Sequence, residues 1–173
     1  ATPGPTAAAA ATAPASKPAD AKKARQGKTS GFELQGDALK LPGPVVFEVG
    51  TDKIEPDSEE ALNEALDFLT AKPDITTMRI EGHSDNDGPE GRNQTLTEQR
   101  AMAVARWLIA RGVSCGRLVP VGFGSTKPIA PNDTPENKAQ NRRITFANAA
   151  LRNRPIGGRP LDGGGKPAGD PCR

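Results

Sequence analysis

The stretch ITTMRIEGHSDNDGPEGRNQTLTEQRAMAVARWLIARG, residues 75–112, decides the fold. In its first part Met78, Ile80 and Gly82 alternate with Thr77, Arg79 and Glu81. That period of two puts one set on each face of a strand ending near Ser84. The run DNDGPEGRNQ, residues 85–94, is dense in turn formers and reads as a loop. Thr97 then caps a helix over 98–112, whose apolar stripe includes Ala101, Val104, Ala105 and Leu108 and whose stop is Gly112. Strand, loop and helix in that order open a βαβ crossover, which should be right-handed.

Upstream, PVVFEV (44–49) alternates Val45, Phe47 and Val49 with Val46 and Glu48 and predicts a first strand. The segment 55–74 spaces Leu62, Ala65, Leu66 and Leu69 as on one helix face, with Asp57 or Ser58 as N-cap, acids in the first turn and Pro73 as the stop. Downstream, a third strand is expected around 117–122. A Pro/Asn-rich loop with a short helix near 135–140 follows, and RRITFAN (142–148) is the last strand. The order predicts an α/β (α+β) two-layer sandwich, β-α-β-α-β-(short α)-β, with helices on one face of a four-stranded mixed sheet and the other face partly wet.

Composition divides the chain into three. The first 30 of the 173 residues hold 11 Ala and 4 Pro, which break any continuous helix and supply no apolar face, so they read as a disordered linker. Residues 31–148 form the globular domain. Residues 149–173 hold 6 Gly and 4 Pro and read as a tail unable to build a core. Charge follows the same division: the two ends carry +4 and +3, leaving the body at −5. An acidic body with 5 Phe, 1 Trp and no Tyr argues against nucleic acid as a partner. No run approaches the roughly 18 to 20 apolar residues of a membrane span, and the start lacks the layout of a signal peptide. The chain reads as soluble, reaching a membrane only through an anchor outside these residues.

Cys115 and Cys172 lack the CxxC spacing of zinc or redox sites. In an oxidising compartment they permit one disulfide that ties the tail back; two free thiols are the alternative. His83 is the only histidine and has no further ligands at metal spacing, so no metal or other cofactor is expected. His83, Ser84 and Asp85 are the residue types of a hydrolase triad, but neighbours in an extended chain point to opposite faces. The chain does not read as an enzyme. GFGS (122–125) lacks the Lys-Ser/Thr ending of a phosphate loop and reads as a turn.

The segments GHSDNDGPEGRNQTLTEQRAMAV, GFGSTKPIAPNDT and NRR resemble the OmpA-like C-terminal domain, shared by OmpA-type porins, the lipoprotein Pal and the flagellar stator protein MotB. The family runs are GH(T/S)DxxGxxxxNxxL(S/T)xxRAxxV, GxGxxxPxxxNxT and NRR. The resemblance spans Val45 to Phe146. It implies non-catalytic binding of peptidoglycan through the diaminopimelate of its stem peptide, in the periplasm, by a protein attached to the outer membrane. A lipoprotein, a porin and a stator component all remain open as parents.

The matching ligand residues are Asp85 and Arg100, with Asn93, Arg142 and Thr51 as further candidates. By residue type alone Asp85 and Arg100 read first as an ion pair bracing a loop. As a clamp, the carboxylate takes an ammonium and the guanidinium fork takes a carboxylate. An envelope protein-interaction module that leaves the wall unbound is the alternative, with envelope proteins as its partners. Two departures stand out: Asn137 and Lys138 precede AQNRR where the family often has GRxxNRR, and the tail lies outside the module.

Overall fold

The computed structural model describes residues 31–173; the linker expected over 1–30 lies outside the described residues. A hairpin of β1 (Leu34–Gln35) and β2 (Ala38–Leu39) comes first, followed by a 3-10 turn at Pro56–Ser58 and helix α1 (Glu59–Ala71). Strand β3 (Ile75–His83), helix α2 (Glu90–Ile109) and strand β4 (Leu118–Gly122) form the crossover. Helix α3 (Pro135–Asn141), β5 (Arg143–Leu151), β6 (Arg154–Pro155) and β7 (Lys166–Pro167) complete the chain.

The sheet order is β1-β2-β5-β3-β4-β7, with β6 pairing β5. β3 and β4 run parallel, from Met78 opposite Leu118 to Gly82 opposite Gly122, and β5 runs antiparallel on the other side of β3. The α/β sandwich expected from the sequence is present. Leu62, Leu66 and Leu69 of α1 and Val104, Ala105 and Leu108 of α2 close on Met78, Ile80 and Phe146 as one buried cluster.

Two glycines set how closely α2 lies on the sheet. A Cβ at Gly82 would stand 2.3 Å from the Thr97 carbonyl oxygen, and one at Gly122 2.7 Å from the Glu98 nitrogen. Because these residues are register partners, the helix rests on a bare spot spanning two strands.

Four expectations need correction. The segment 44–49 is not a strand of the sheet: it makes one isolated bridge, Phe47 to Ile54, and Val49 is 98% exposed. Its backbone is spent elsewhere, since the Val46 N–H donates to Ser58 Oγ at 2.7 Å and the Glu55 N–H to the Val46 carbonyl. β2 takes the place beside β5 instead. Helix α2 begins at Glu90 rather than after Thr97, so Thr97 is a fully buried interior residue. Tertiary bonds extend it through weak helix formers: Gln94 Nε2 donates to the Gly122 carbonyl at 2.7 Å, Thr97 Oγ1 accepts from the Gly124 N–H, and Glu90 accepts from Ser125.

The second face of the sheet is covered rather than wet. Thr77, Glu81 and His83 are buried there, beneath a tail that the sequence marked as unable to build a core. The tail passes over Arg79, whose Nη1 donates to the Leu161 carbonyl, and over the Phe123 ring, which Gly165 contacts so closely that a Cβ would stand 2.9 Å away. β7 pairs with the β4 edge, and a Cys115–Cys172 disulfide ties down the end. Closing a loop across that 57-residue separation is worth about 4 kcal/mol of unfolded-state entropy.

Candidate ligand-binding site

Asp85 follows the end of β3, where the Ser84 N–H donates to the Gly124 carbonyl and fixes how the chain leaves the sheet. The residue is 6% exposed. Oδ1 accepts the Asp87 N–H at 3.0 Å, a local Asx turn, and Oδ2 accepts Arg142 Nη1 at 2.5 Å. Asn93 lies in the first turn of α2, not in a loop, and its Nδ2 donates to the Asp87 carbonyl at 2.9 Å and the Asp85 carbonyl at 3.4 Å. That amide staples the 85–87 loop to the helix.

Arg100 sits in the middle of α2 rather than in its first turn, because the helix starts early. Its Nε donates to the Thr51 carbonyl at 2.9 Å, and its guanidinium lies 5.0 Å from the Phe47 ring centre. The terminal nitrogens of Arg100 make no hydrogen bond to any described residue. Burial and the Arg142 charge both lower its pKa, while Asp52 and Asp85 oppose them. A guanidinium nevertheless stays protonated. Thr51 contributes its backbone here; its hydroxyl is spent on the Glu48 carbonyl and the Lys53 N–H.

A cavity of about 500 Å3 opens between these elements, with Pro44, Phe47, Val49, Arg100, Arg142 and Ile144 among its walls. A smaller hollow of about 240 Å3 lies across Arg142, between Asp87, Asp133 and Lys138. Asp85 and Arg100 are therefore not each other's direct partner. Arg142, half-exposed and common to both hollows, holds the position at Asp85. Lys138, where the family often has Arg, pairs with Asp87 at 2.8 Å.

Asn141 escaped the sequence reading. It is fully buried, accepts the Ile129 and Ala130 N–H groups on Oδ1, and donates from Nδ2 to the Ala130 carbonyl and to Asn132. These bonds clamp the loop before α3, itself capped by Thr134, and so aim the next residue, Arg142. The one signal in the sequence is an Asn directly before the paired arginines.

His83 is 3% exposed, stacks on Phe123 at 5.1 Å and lies 3.2 Å from Glu81 rather than against Ser84, whose hydroxyl donates to the Asp85 carbonyl. No nucleophile and base meet there. The turn at 122–125 has its N–H groups taken: that of Gly124 by Thr97 and that of Ser125 by Glu90. Among the described residues no cluster of three or more metal-ligating groups occurs, and no helix is long and apolar enough to cross a membrane.

The sequence pattern of the OmpA family matches residues 46–142, a stretch that contains Thr51, Asp85, Asn93, Arg100 and Arg142. The chain belongs to the OmpA family. Among similar proteins, the peptidoglycan-binding protein ArfA of Mycobacterium tuberculosis is 45% identical over 102 residues, 59% of this chain and 31% of ArfA. The outer-membrane lipoprotein YfiB of Pseudomonas aeruginosa is 36% identical over 118 residues, 67% of this chain and 70% of YfiB. The chain thus spans about a third of the length of the first curated relatives it matches.

Solved OmpA-like structures agree on the fold. A periplasmic domain of Helicobacter pylori MotB is similar with a TM-score of 0.55 at 31% identity, covering 69% of this chain and 82% of that one. The peptidoglycan-associated lipoprotein of Burkholderia pseudomallei has a TM-score of 0.54 at 27% identity, covering 62% and 89%.

Proposed function

We propose that this domain binds peptidoglycan without cutting it, through the zwitterionic diaminopimelate end of the stem peptide, and so anchors an envelope protein to the wall. The observation that carries this reading is the unspent guanidinium fork of Arg100 in a cavity shared with Arg142 and linked through it to Asp85. A planar fork whose Nε is already fixed by Thr51 presents two parallel N–H donors, the geometry a ligand carboxylate accepts bidentately. The buried Asp85 carboxylate supplies the complementary acceptor for an ammonium. Family membership and a peptidoglycan-binding relative at 45% identity support the same ligand.

Among the described residues no nucleophile and base meet beside the cavity, since His83 Nε2 is paired with Glu81 and its ring is packed on Phe123. The role is grip. Each contact exchanges water for a charged partner at a partly exposed site and gains modestly, so firm attachment comes from several such domains on one polymer. The working place is the periplasm, as part of a protein attached to the outer membrane.

The test is co-sedimentation with diaminopimelate-type sacculi. The wild-type chain pellets with the wall, and Asp85→Ala and Arg100→Ala each lower the bound fraction about tenfold or more. Undiminished sedimentation of both variants overturns the proposal.

A further inference from the structure

The cation position at Asp85 is already filled. Asp85 is buried, one of its oxygens serves the Asp87 N–H, and the other holds the Arg142 guanidinium at 2.5 Å. A ligand ammonium approaching this carboxylate meets a resident cation of the protein's own. Arg142 is the more exposed member of the pair: its side chain is 47% exposed against 8% for Asp85, and it follows the last residue of a seven-residue helix. Arg100, by contrast, is tethered through Nε to Thr51 and packed on Phe47.

Resting on the proposed wall-binding function, we infer that Arg142 is the specificity-determining residue of the site, an internal stand-in for the ligand ammonium that exchanges Asp85 for the ligand carboxylate on binding. In the free domain it neutralises a buried carboxylate that would be costly to leave alone. When an ammonium takes over Asp85, Arg142 is released into the cavity it already lines, beside the open fork of Arg100.

The exchange balances only if the ligand brings a carboxylate to the released guanidinium. A side chain ending in both ammonium and carboxylate satisfies Asp85, Arg142 and Arg100 together. One ending in ammonium alone, as in a lysine-type stem, displaces Arg142 and leaves two arginines facing each other with no anion between them. Their mutual repulsion already acts in the free domain, where the Arg142 charge opposes protonation of Arg100. Arg142 therefore selects against amines that lack an adjacent acid, the excluding half of a specificity that attraction alone would not deliver.

The experiment measures two soluble stem peptides by calorimetry, one with diaminopimelate and the other with lysine in its place, on wild type, Arg142→Gln and Arg142→Lys. Wild type binds the first and rejects the second. Arg142→Gln removes both the resident cation at Asp85 and the guanidinium that meets the ligand carboxylate, so it binds the diaminopimelate peptide about tenfold more weakly and the lysine peptide several-fold more tightly, and the ratio of affinities collapses. Arg142→Lys keeps a cation at Asp85 without a planar fork. It weakens the diaminopimelate peptide several-fold and still rejects lysine.

A purely structural role for Arg142 lowers both affinities alike. An unchanged ratio in Arg142→Gln, or an Arg142→Lys variant indistinguishable from wild type, overturns the inference and leaves the wall-binding function standing. A wild-type chain that binds neither peptide overturns the function itself and this inference with it.

Discussion

Two charged clusters flank strand β3, and they differ in what is left over. On the second face of the sheet Arg79, Glu81 and His83 form a ladder that uses both Glu81 carboxylate oxygens and leaves His83 Nδ1 buried without a partner among the described residues. Arg79 Nε donates to Glu81 Oε1 at 2.5 Å, His83 lies 3.2 Å from Oε2, and the tail seals the top. At the end of the same strand Asp85, Arg142 and Arg100 form an open set, with one pair made and one guanidinium fork unspent. Residue types are nearly the same in both. A cluster whose charges are paired internally stabilises the fold, whereas one with a charged fork to spare facing a cavity is built to receive something.

The largest expected effect breaks the internally paired cluster from outside. Cys172→Ser frees the tail that covers the ladder and lowers unfolding free energy by about 4 kcal/mol in urea titration, with binding to sacculi unchanged. Next, Glu81→Gln strands Arg79 in a buried site and costs roughly 3 kcal/mol, again without loss of binding. If either variant lost binding at full stability, the distinction between the two clusters would be wrong.

Third, Arg100→Ala reverses the pattern. Binding falls about tenfold or more, while stability changes by about 1 kcal/mol, the worth of the single bond to Thr51.

The last test reads the ladder by pH. Burial is the largest influence on Glu81 and pushes its pKa up, but hydrogen bonds from His83 and Arg79 outweigh it and hold the carboxyl at about 2, below its ordinary 4.5. Burial also lowers the His83 pKa below 6.5, against the pull of Glu81 and with help from Arg143 and Lys127. For His83 the unfolded chain takes up the proton first, so stability present above pH 6.5 declines as pH falls below it. For Glu81 the contribution is complete above pH 4.5 and disappears as pH falls toward 2. Urea titrations at successive pH values show both declines, and His83→Gln removes the upper one alone.

Much of this was legible in the sequence. The alternation at Met78, Ile80 and Gly82 and the stripe at Ala101, Val104, Ala105 and Leu108 reported the core, because burial selects side chains at the period of the element that carries them. Loops are harder to read. Gly91, Asn93 and Thr95 are weak helix formers, yet they lie in α2 because Glu90, Gln94 and Thr97 find partners on the turn after β4, at distances in sequence that local propensity ignores. That early start moved Arg100 from a helix end to a helix centre. The segment 44–49 alternates as a strand does, but Ser58 and the β1–β2 hairpin had prior claim on its backbone and on its place in the sheet.

What the sequence determined by itself was the family module, the two amphipathic helices, the central strands and the residue types of the site, all of which are local patterns or fixed spacings. What only the tertiary structure decided was who pairs with whom. Asp85 took Arg142, 57 positions away, rather than Arg100; Thr51 steadied Arg100; Asn141 aimed Arg142; and a Gly/Pro tail became the cover of a sheet face. Charge pairing depends on distance in space and on competing partners, and a linear chain encodes neither until it has folded.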